Sequence, residues 1–505
     1  MPNNRRIAKN TVFLYFRMLF IMGAALYASR VVLKILGNED YGLYNVIGGV
    51  ISMFTFLTGS LTGASSRYMT FELGRNNLKR LNVVFNTSLL LHVAISCVIF
   101  ILAESIGLWF VKYKLVIPPE RMNAALWVYQ ATIFASIIAM CQIPFNAMII
   151  AYENMKVYAW GGIIEAMLHV SIALLLFVLP GDHLIVYAWL LLLVKLLVFS
   201  FYLLYVRFSF ASSQPHMNRQ WTLYRTMLGY IGSDLIGGLA VLAQGQGLNI
   251  LLNLFFGPTV NAARGIVYQV QGAVMQFNNN FMTAVKPQII KSYAIGQISE
   301  MMNLVIFGSC ISFYLTWLIA LPVFLETDFI LTLWLGEYPD HCISFLHLVL
   351  VLCLIQAIKT PRTTVYHAMA RLKTPNLIVG TILCAALPLA YFLLKAGYAP
   401  ESVFVAANIT MFLSEIASVI ILRFYLKRPI TSYLTKVYIR TAVIAISSFM
   451  LSSVAFRHIS IHDATFVRLV FTTLTTSVIT GLIIVIFDQD IRIKTQNILY
   501  GFIHR

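Results

Sequence analysis

The sequence predicts an all-α polytopic membrane protein of about fourteen transmembrane helices. They form two parallel six-helix lobes, followed by two extra C-terminal helices. Three observations predict this. Apolar runs repeatedly exceed the roughly 18–20 residues that cross a bilayer as helix. Lys and Arg are rich in alternate loops and sparse in the others, as the positive-inside rule requires. Short motifs recur at an offset of about 220 residues.

Composition excludes the competing classes. Of 505 residues, 59% are hydrophobic and 11% charged, whereas a soluble chain carries roughly a quarter charged residues. A disordered chain would lack the 35 Phe, 25 Tyr and 7 Trp present here. The formal net charge is +17, but the basic residues are scattered singly, so no nucleic-acid partner is expected. Cys97, Cys141, Cys310, Cys342, Cys353 and Cys384 show no metal-ligand spacing and read as small core hydrophobes. Arg5, Arg6 and Lys9 precede an apolar run that carries Arg17 and lacks an A-x-A cleavage pattern, so it reads as a retained first helix.

The expected helices are 10–36, 41–66, 83–110, 122–151, 157–180, 184–207, 222–255, 259–285, 302–325, 342–369, 375–396, 402–426, 437–456 and 467–487. The loops between them are short, and no G-x-x-x-x-G-K-[ST] phosphate loop occurs. With the N-terminus in the cytoplasm, and with charges in the flanking helix halves counted on the nearer side, the inside segments hold 25 Lys and Arg and the outside loops hold 6. Five more, Arg17, Arg30, Lys34, Lys195 and Arg264, are left with the helices and assigned to neither side. This bias predicts an inner-membrane protein with both termini cytoplasmic. Glu326, Asp328, Glu337 and Asp340 gather near one outside loop.

The repeat pairs Leu36-Gly37-Asn38-Glu39-Asp40-Tyr41-Gly42 with Phe256-Gly257-Pro258-Thr259-Val260-Asn261-Ala262. It also pairs the turn Ala151-Tyr152-Glu153-Asn154-Met155-Lys156 with Ala370-Arg371-Leu372-Lys373-Thr374-Pro375. Six helices separate the copies, an even number, so both have the same orientation. The expected organisation is an N-terminal lobe over 1–210, a C-terminal lobe over 221–430 and two extra helices with a tail over 431–505. Such a plan suits a transporter.

Leu36 to Tyr44 resembles the LG-x-x-x-[YF]-G turn after the first helix of Wzx-type polysaccharide-biosynthesis flippases. These belong to the superfamily that also holds MATE exporters and lipid II flippases. Asn261-Ala262-Ala263-Arg264-Gly265 and Val285-Lys286-Pro287-Gln288-Ile289-Ile290 are similar to the same branch. The resemblance implies a MATE-like fold in the bacterial cytoplasmic membrane. It implies a lipid-linked oligosaccharide as substrate, with membrane lipids and polysaccharide polymerases as partners. No cofactor is implied, and coupling to H+ or Na+ stays open.

Helix 8 carries the clearest polar stripe: Asn261, Arg264, Tyr268, Gln271 and Asn278 share one face, apart from Ala263, Val267, Val270, Val274, Phe277 and Phe281. One face meeting lipid or packed neighbours and the other a hydrated cavity explains the pattern. Interhelical amide bonding is the alternative. In helix 2, Asn45, Ser52 and Arg67 share a face with Gly49, Gly59 and Gly63, which serve close packing equally well. Helix 7 adds Gln246, Asn249 and Asn253. Amides suit sugar hydroxyls, and the planar arginine fork suits phosphate.

Each intramembrane charge costs roughly 2.5–3.5 kcal/mol at the centre of a lipid-exposed helix, so each needs a partner or water. Arg30 and Arg264 are candidates for gripping an anion, with snorkelling to the interface as the rival for Arg30. Arg67 and Lys286 occupy corresponding cytoplasmic helix ends, as entrance groups or simple anchors. Arg17 and Asp234 lie at similar depth and are expected to approach when an inner gate closes, or to form ion pairs within a lobe. Glu165, His169 and Lys195 read as a static ion-pair group or a proton route. Glu415 has no partner legible in the sequence. Two rivals to the flippase remain: a MATE-like drug or cation exporter, which needs an acid-rich cavity, and a membrane polymerase or glycosyltransferase. The second would need its site near Glu326–Asp340.

Overall fold

The computed structural model describes residues 4–54, 57–115, 117–214, 220–427, 429, 431–458, 466–488 and 492, and among them there is helix and no strand. The first half of the chain forms α1 (Asn4–Phe54), α2 (Thr58–Gly74), α3 (Leu78–Leu102), α4 (Leu108–Tyr113), α5 (Met122–Ala151), α6 (Met155–Leu175) and α7 (His183–Ser209). The second half forms α8 (Trp221–Phe256), α9 (Pro258–Ala294), α10 (Ile298–Leu325), α11 (Thr327–Leu335), α12 (Cys342–Met369), α13 (Lys373–Cys384), α14 (Ala386–Lys395) and α15 (Glu401–Leu426). A short α16 (Thr431–Tyr433) passes through a π-helical turn, Leu434–Ile439, into α17 (Arg440–His458), and α18 (Phe466–Phe487) follows.

Twelve helices among the described residues are long and apolar enough to cross a membrane. The two expected spans outside that set are repeat counterparts. One is α9, which is 37 residues long but carries Asn261, Arg264, Gln271 and Asn278–Asn280. The other is the second arm of α1 continued by α2, around residues 55 and 56, which lie outside the described residues. Expected helix 1 and the first part of expected helix 2 are thus two arms of α1, broken where Gly37 takes φ 73° and ψ 175°.

The repeat is visible in the turns. Gly37 and Gly257 both adopt positive φ, 73° and 79°, a region open to glycine at no steric cost. Asn76 and Gly296 close α2 and α9 with φ of 56° and 77°. Their amides donate to Leu73 and Tyr293 carbonyls, and the following amides donate to Glu72 and Ser292, a Schellman-type ending in each case. The next matched pair is Glu153 and Ala370, with φ of 57° and 54°. That is two residues out of the register given by matching Ala151 with Ala370, because the left-handed residue ending the helix, not the preceding alanine, fixes the turn.

The chain separates into two compact units that do not follow the sequence lobes. One comprises 1–235, 283–301 and 367–370; the other comprises 236–282, 302–366 and 371–505. Within the first, α1 packs on α6 and α5 on α7. Gly162 permits the approach of α1 to α6 and Gly161 that of α7 to α6, since a Cβ there would lie 2.2 Å from Arg17 Nε and from the Tyr202 hydroxyl, respectively. At one end Arg121 bridges Asp40 and Asp182, the latter at 2.6 Å.

Within the second unit, the appended helices are fastened to α10. Arg440 pairs with buried Asp488 at 2.7 Å, and Tyr314 donates to the same carboxylate at 2.9 Å. Midway, Trp317 Nε1 donates to Ser448. Farther along, Arg468 and Thr472 both reach the buried Glu326 carboxylate at 2.9 Å. Buried carboxylates carry a large desolvation cost unless so matched, which makes these contacts specific braces.

Candidate functional site

Four helices of the second unit surround a cavity of about 380 Å³. Val241, Gln244, Gly245 and Leu248 face it from α8; Tyr268, Gln271 and Met275 from α9; Leu352, Gln356, Lys359, Thr360 and Thr363 from α12; Ala407 and Met411 from α15. Helical spacing explains the set: 241, 244, 245 and 248 share one face of α8, and 352, 356, 359, 360 and 363 one face of α12. Arg264, one turn before Tyr268, donates to Asn249 Oδ1 at 3.0 Å and to the Gly245 carbonyl at 2.8 Å. Its guanidinium also lies 4.2 Å from the Tyr268 ring centroid. Arg264 therefore ties α9 to α8 and shapes the cavity wall.

The charge that enters the cavity belongs to Lys359. Its ammonium is 3.9 Å from the Met411 thioether, and among the described residues no carboxylate lies within ion-pair distance. Glu415 is its nearest acidic influence, but that carboxylate is engaged elsewhere. Arg362, one turn along α12, is fully buried and donates to Glu415 Oε2 at 2.8 Å and to the Glu415 carbonyl at 3.0 Å. Tyr438 donates to the same carboxylate oxygen at 3.3 Å. One cation is thus compensated within the protein and its neighbour is left for the cavity contents. A larger groove of about 770 Å³ along α15 and α16 is lined chiefly by apolar residues such as Phe412, Ile416, Ile420 and Phe424, which suits hydrocarbon rather than a polar ligand.

A second polar cluster lies within the first unit. Arg67 is buried, donates through Nε and Nη2 to the Ala368 carbonyl at 3.3 and 2.9 Å, and sits 4.5 Å from the Tyr68 and Phe71 rings. Beside it, Tyr230 and His367 Nδ1 are 2.6 Å apart. Asp234 and Lys286 stand within Coulombic reach of His367. Farther along, Glu153 receives Lys291 at 2.5 Å and Gln288 at 2.7 Å. These bonds join helices from the two halves of the sequence, at the end where the basic loops gather.

Comparison with known proteins adds the fold. No protein-family model matches the chain, and no curated protein matches it. Solved structures do: a MATE in complex with MaL6 aligns with a TM-score of 0.70 at 14% identity, over 83% of this chain and 96% of the other. The chain has the MATE transporter fold. An outward-facing multidrug resistance MATE family transporter gives a TM-score of 0.71 at 14% identity, with 83% and 96% covered. A MOP superfamily transporter from Pyrococcus furiosus gives 0.68 at 14% identity, with 85% and 96% covered.

On this MATE fold the sequence-derived candidates divide into groups. Tyr268 and Gln271 line the cavity, and Arg264 and Asn249 bond to each other beside it. Gln246 does not: it is exposed, and Gln244, two residues away, faces inward and is 3.5 Å from Thr410 Oγ1. Asn253 is exposed; Asn45 is exposed and bonds its own helix at Tyr41. Arg30 is exposed, with no ion pair among the described residues. The Ser52 side chain lies outside the described residues. Asn278 is fully buried with neither amide atom bonded, and Asn261 Oδ1 is likewise unbonded.

Arg67, Asp234 and Lys286 lie in the first unit within Coulombic reach of His367, whose ring bonds Tyr230; the sequence offers no sign of that Tyr–His pair. Arg17 and Asp234 do not pair. Arg17 stacks 4.5 Å from the Tyr158 ring and against Gly162, while Asp234 lies by Gly63. Glu165 and Lys195 form an ion pair of 2.5 Å between α6 and α7, with His169 nearby. Lys359 and Arg362 belong to the 25 residues assigned to the inside, although both fall within the expected helix 342–369 and within α12. Two charges in an otherwise apolar stretch were the signal available.

Proposed function

We propose that this protein is a flippase of lipid-linked oligosaccharide. It would move the polyprenyl-pyrophosphate-linked head from the cytoplasmic to the outer leaflet of a bacterial cytoplasmic membrane, both termini remaining cytoplasmic. One observation carries the reading: the cavity presents an ammonium without a carboxylate, surrounded by amides and hydroxyls. That lining attracts an anion and offers sugar hydroxyls both donors and acceptors. The hydrocarbon tail stays in lipid. Alternating access moves the head without breaking a covalent bond, with coupling to H+ or Na+. The bonds around Arg67 and Glu153 serve as the inner gate.

The cation-exporter alternative shares the fold but needs acids where Lys359 stands. The Pyrococcus furiosus transporter is itself described as having a binding pocket of reverse polarity that suggests a different function, so pocket polarity and fold are separable. The polymerase alternative loses two of its four candidate acids: Glu326 is held by Arg468 and Thr472, and Asp328 accepts from Tyr338. Proteoliposomes containing labelled lipid-linked oligosaccharide test the proposal. Head groups should become accessible in the opposite leaflet only with the protein present. New glycosidic bonds would reject it in favour of a polymerase, and ion-driven dye efflux in favour of an exporter.

A further inference from the structure

The flippase reading leaves the chemistry of the glycan open, and the cavity narrows it. A diphosphate carries two or more negative charges and is best held by several cationic forks. The cavity offers one point charge, Lys359. Arg264 is bonded to Asn249 and Gly245, and Arg362 to Glu415. The remaining polar lining is neutral. Gln244, Gln271 and Gln356 each supply donor and acceptor capacity. Thr360 and Thr363 donate to backbone carbonyls of α12 at 2.8 and 2.9 Å, which leaves their oxygens as acceptors for sugar hydroxyls. Leu248, Leu352 and Met411 supply apolar wall for the C–H faces of a ring.

We propose that this cavity is a subsite for one carboxylated sugar residue of the transported glycan, its carboxylate paired with Lys359 and its hydroxyls with the three glutamines. The proposal rests on the flippase reading and adds a specificity to it. The thioether contact is weak, so a carboxylate reaches Lys359 without displacing an existing ion pair. A volume of about 380 Å³ lies at the small end of ligand sites, in keeping with a single sugar subsite rather than a whole oligosaccharide. The diphosphate then belongs outside this cavity.

Binding to the full chain in lipid nanodiscs tests this with three probes: methyl glucuronide, methyl glucoside and inorganic pyrophosphate. The wild type should bind the glucuronide at least about tenfold more tightly than the neutral glucoside, a factor worth about 1.4 kcal/mol. Lys359→Gln should abolish that preference, and Lys359→Arg should keep part of it. Removing a buried charge that has no partner leaves nothing uncompensated, so Lys359→Gln is expected to fold. Pyrophosphate affinity should be the same in wild type and Lys359→Gln. Equal binding of the two glycosides by wild type would overturn the proposal. So would loss of pyrophosphate binding in Lys359→Gln, since Lys359 would then be a diphosphate ligand. These measurements are independent of translocation: intact glucuronide selectivity without lipid flipping would strike the flippase reading alone.

Discussion

Arg362 and Glu415 are 0% and 2% exposed, so removing either alone leaves a buried charge without its partner. Arg362→Leu is expected to destabilise the protein by roughly 3–5 kcal/mol, read as a lowered unfolding midpoint in detergent. The double variant Arg362→Met with Glu415→Leu should recover most of that loss. Lys359→Met, one turn away, should be neutral or stabilising in the same assay, because no carboxylate depends on it. These two cations look alike in the sequence and differ only in what faces them. Glu415 was legible as an intramembrane acid without a partner, yet its partner sits 53 positions earlier on another helix, beyond the reach of helical periodicity. Arg264 was legible as a cavity residue from its face of α9. Its bonds to Asn249 and Gly245 depend on how closely α8 approaches, which no single-helix pattern contains.

At the scale of elements, the turns carry the repeat and the helix ends carry the departures from expectation. Gly257 adopts φ 79° with open space around its missing Cβ, so backbone conformation alone should penalise a side chain there. Gly257→Ala is expected to cost about 1 kcal/mol or more, seen as a lower melting temperature, whereas an alanine at helical Gly265, also in open space, should not destabilise. Expected helices 2 and 8 were ended at 66 and 285, but α2 runs to Gly74 and α9 to Ala294. Hydropathy registers contact with lipid, and these last turns instead make polar contacts through Arg67, Arg75, Gln288 and Lys291. The helix therefore outlasts the apolar signal. Glu153 anchors two of those contacts, so Glu153→Ala should lower hydrogen-exchange protection of 288–294 several-fold while leaving α15 unchanged. Unchanged protection in both would remove Glu153 from the inner gate.

For the whole molecule, length, hydropathy and the count of 25 against 6 basic residues make the polytopic fold legible in the sequence alone. The division into compact units was not legible, because 283–301 and 367–370 join the first-half helices through tertiary contacts the lobe boundaries ignore. The role of the last two helices was also hidden: Asp488 and Glu326 brace α17 and α18 against the α10 region through partners 48 to 174 residues away. The net charge of +17 mostly follows loop topology, and only the few cations inside helices bear on the ligand. The central claim is that cavity charge sets the polarity of the cargo. One measurement addresses it most directly: proteoliposomes carrying wild type or Lys359→Glu, loaded with a fluorescent anionic lipid-linked oligosaccharide and, separately, a cationic dye. Wild type should flip the lipid and ignore the dye, and Lys359→Glu should lose lipid flipping. Dye efflux by wild type with the lipid left in its original leaflet would contradict it.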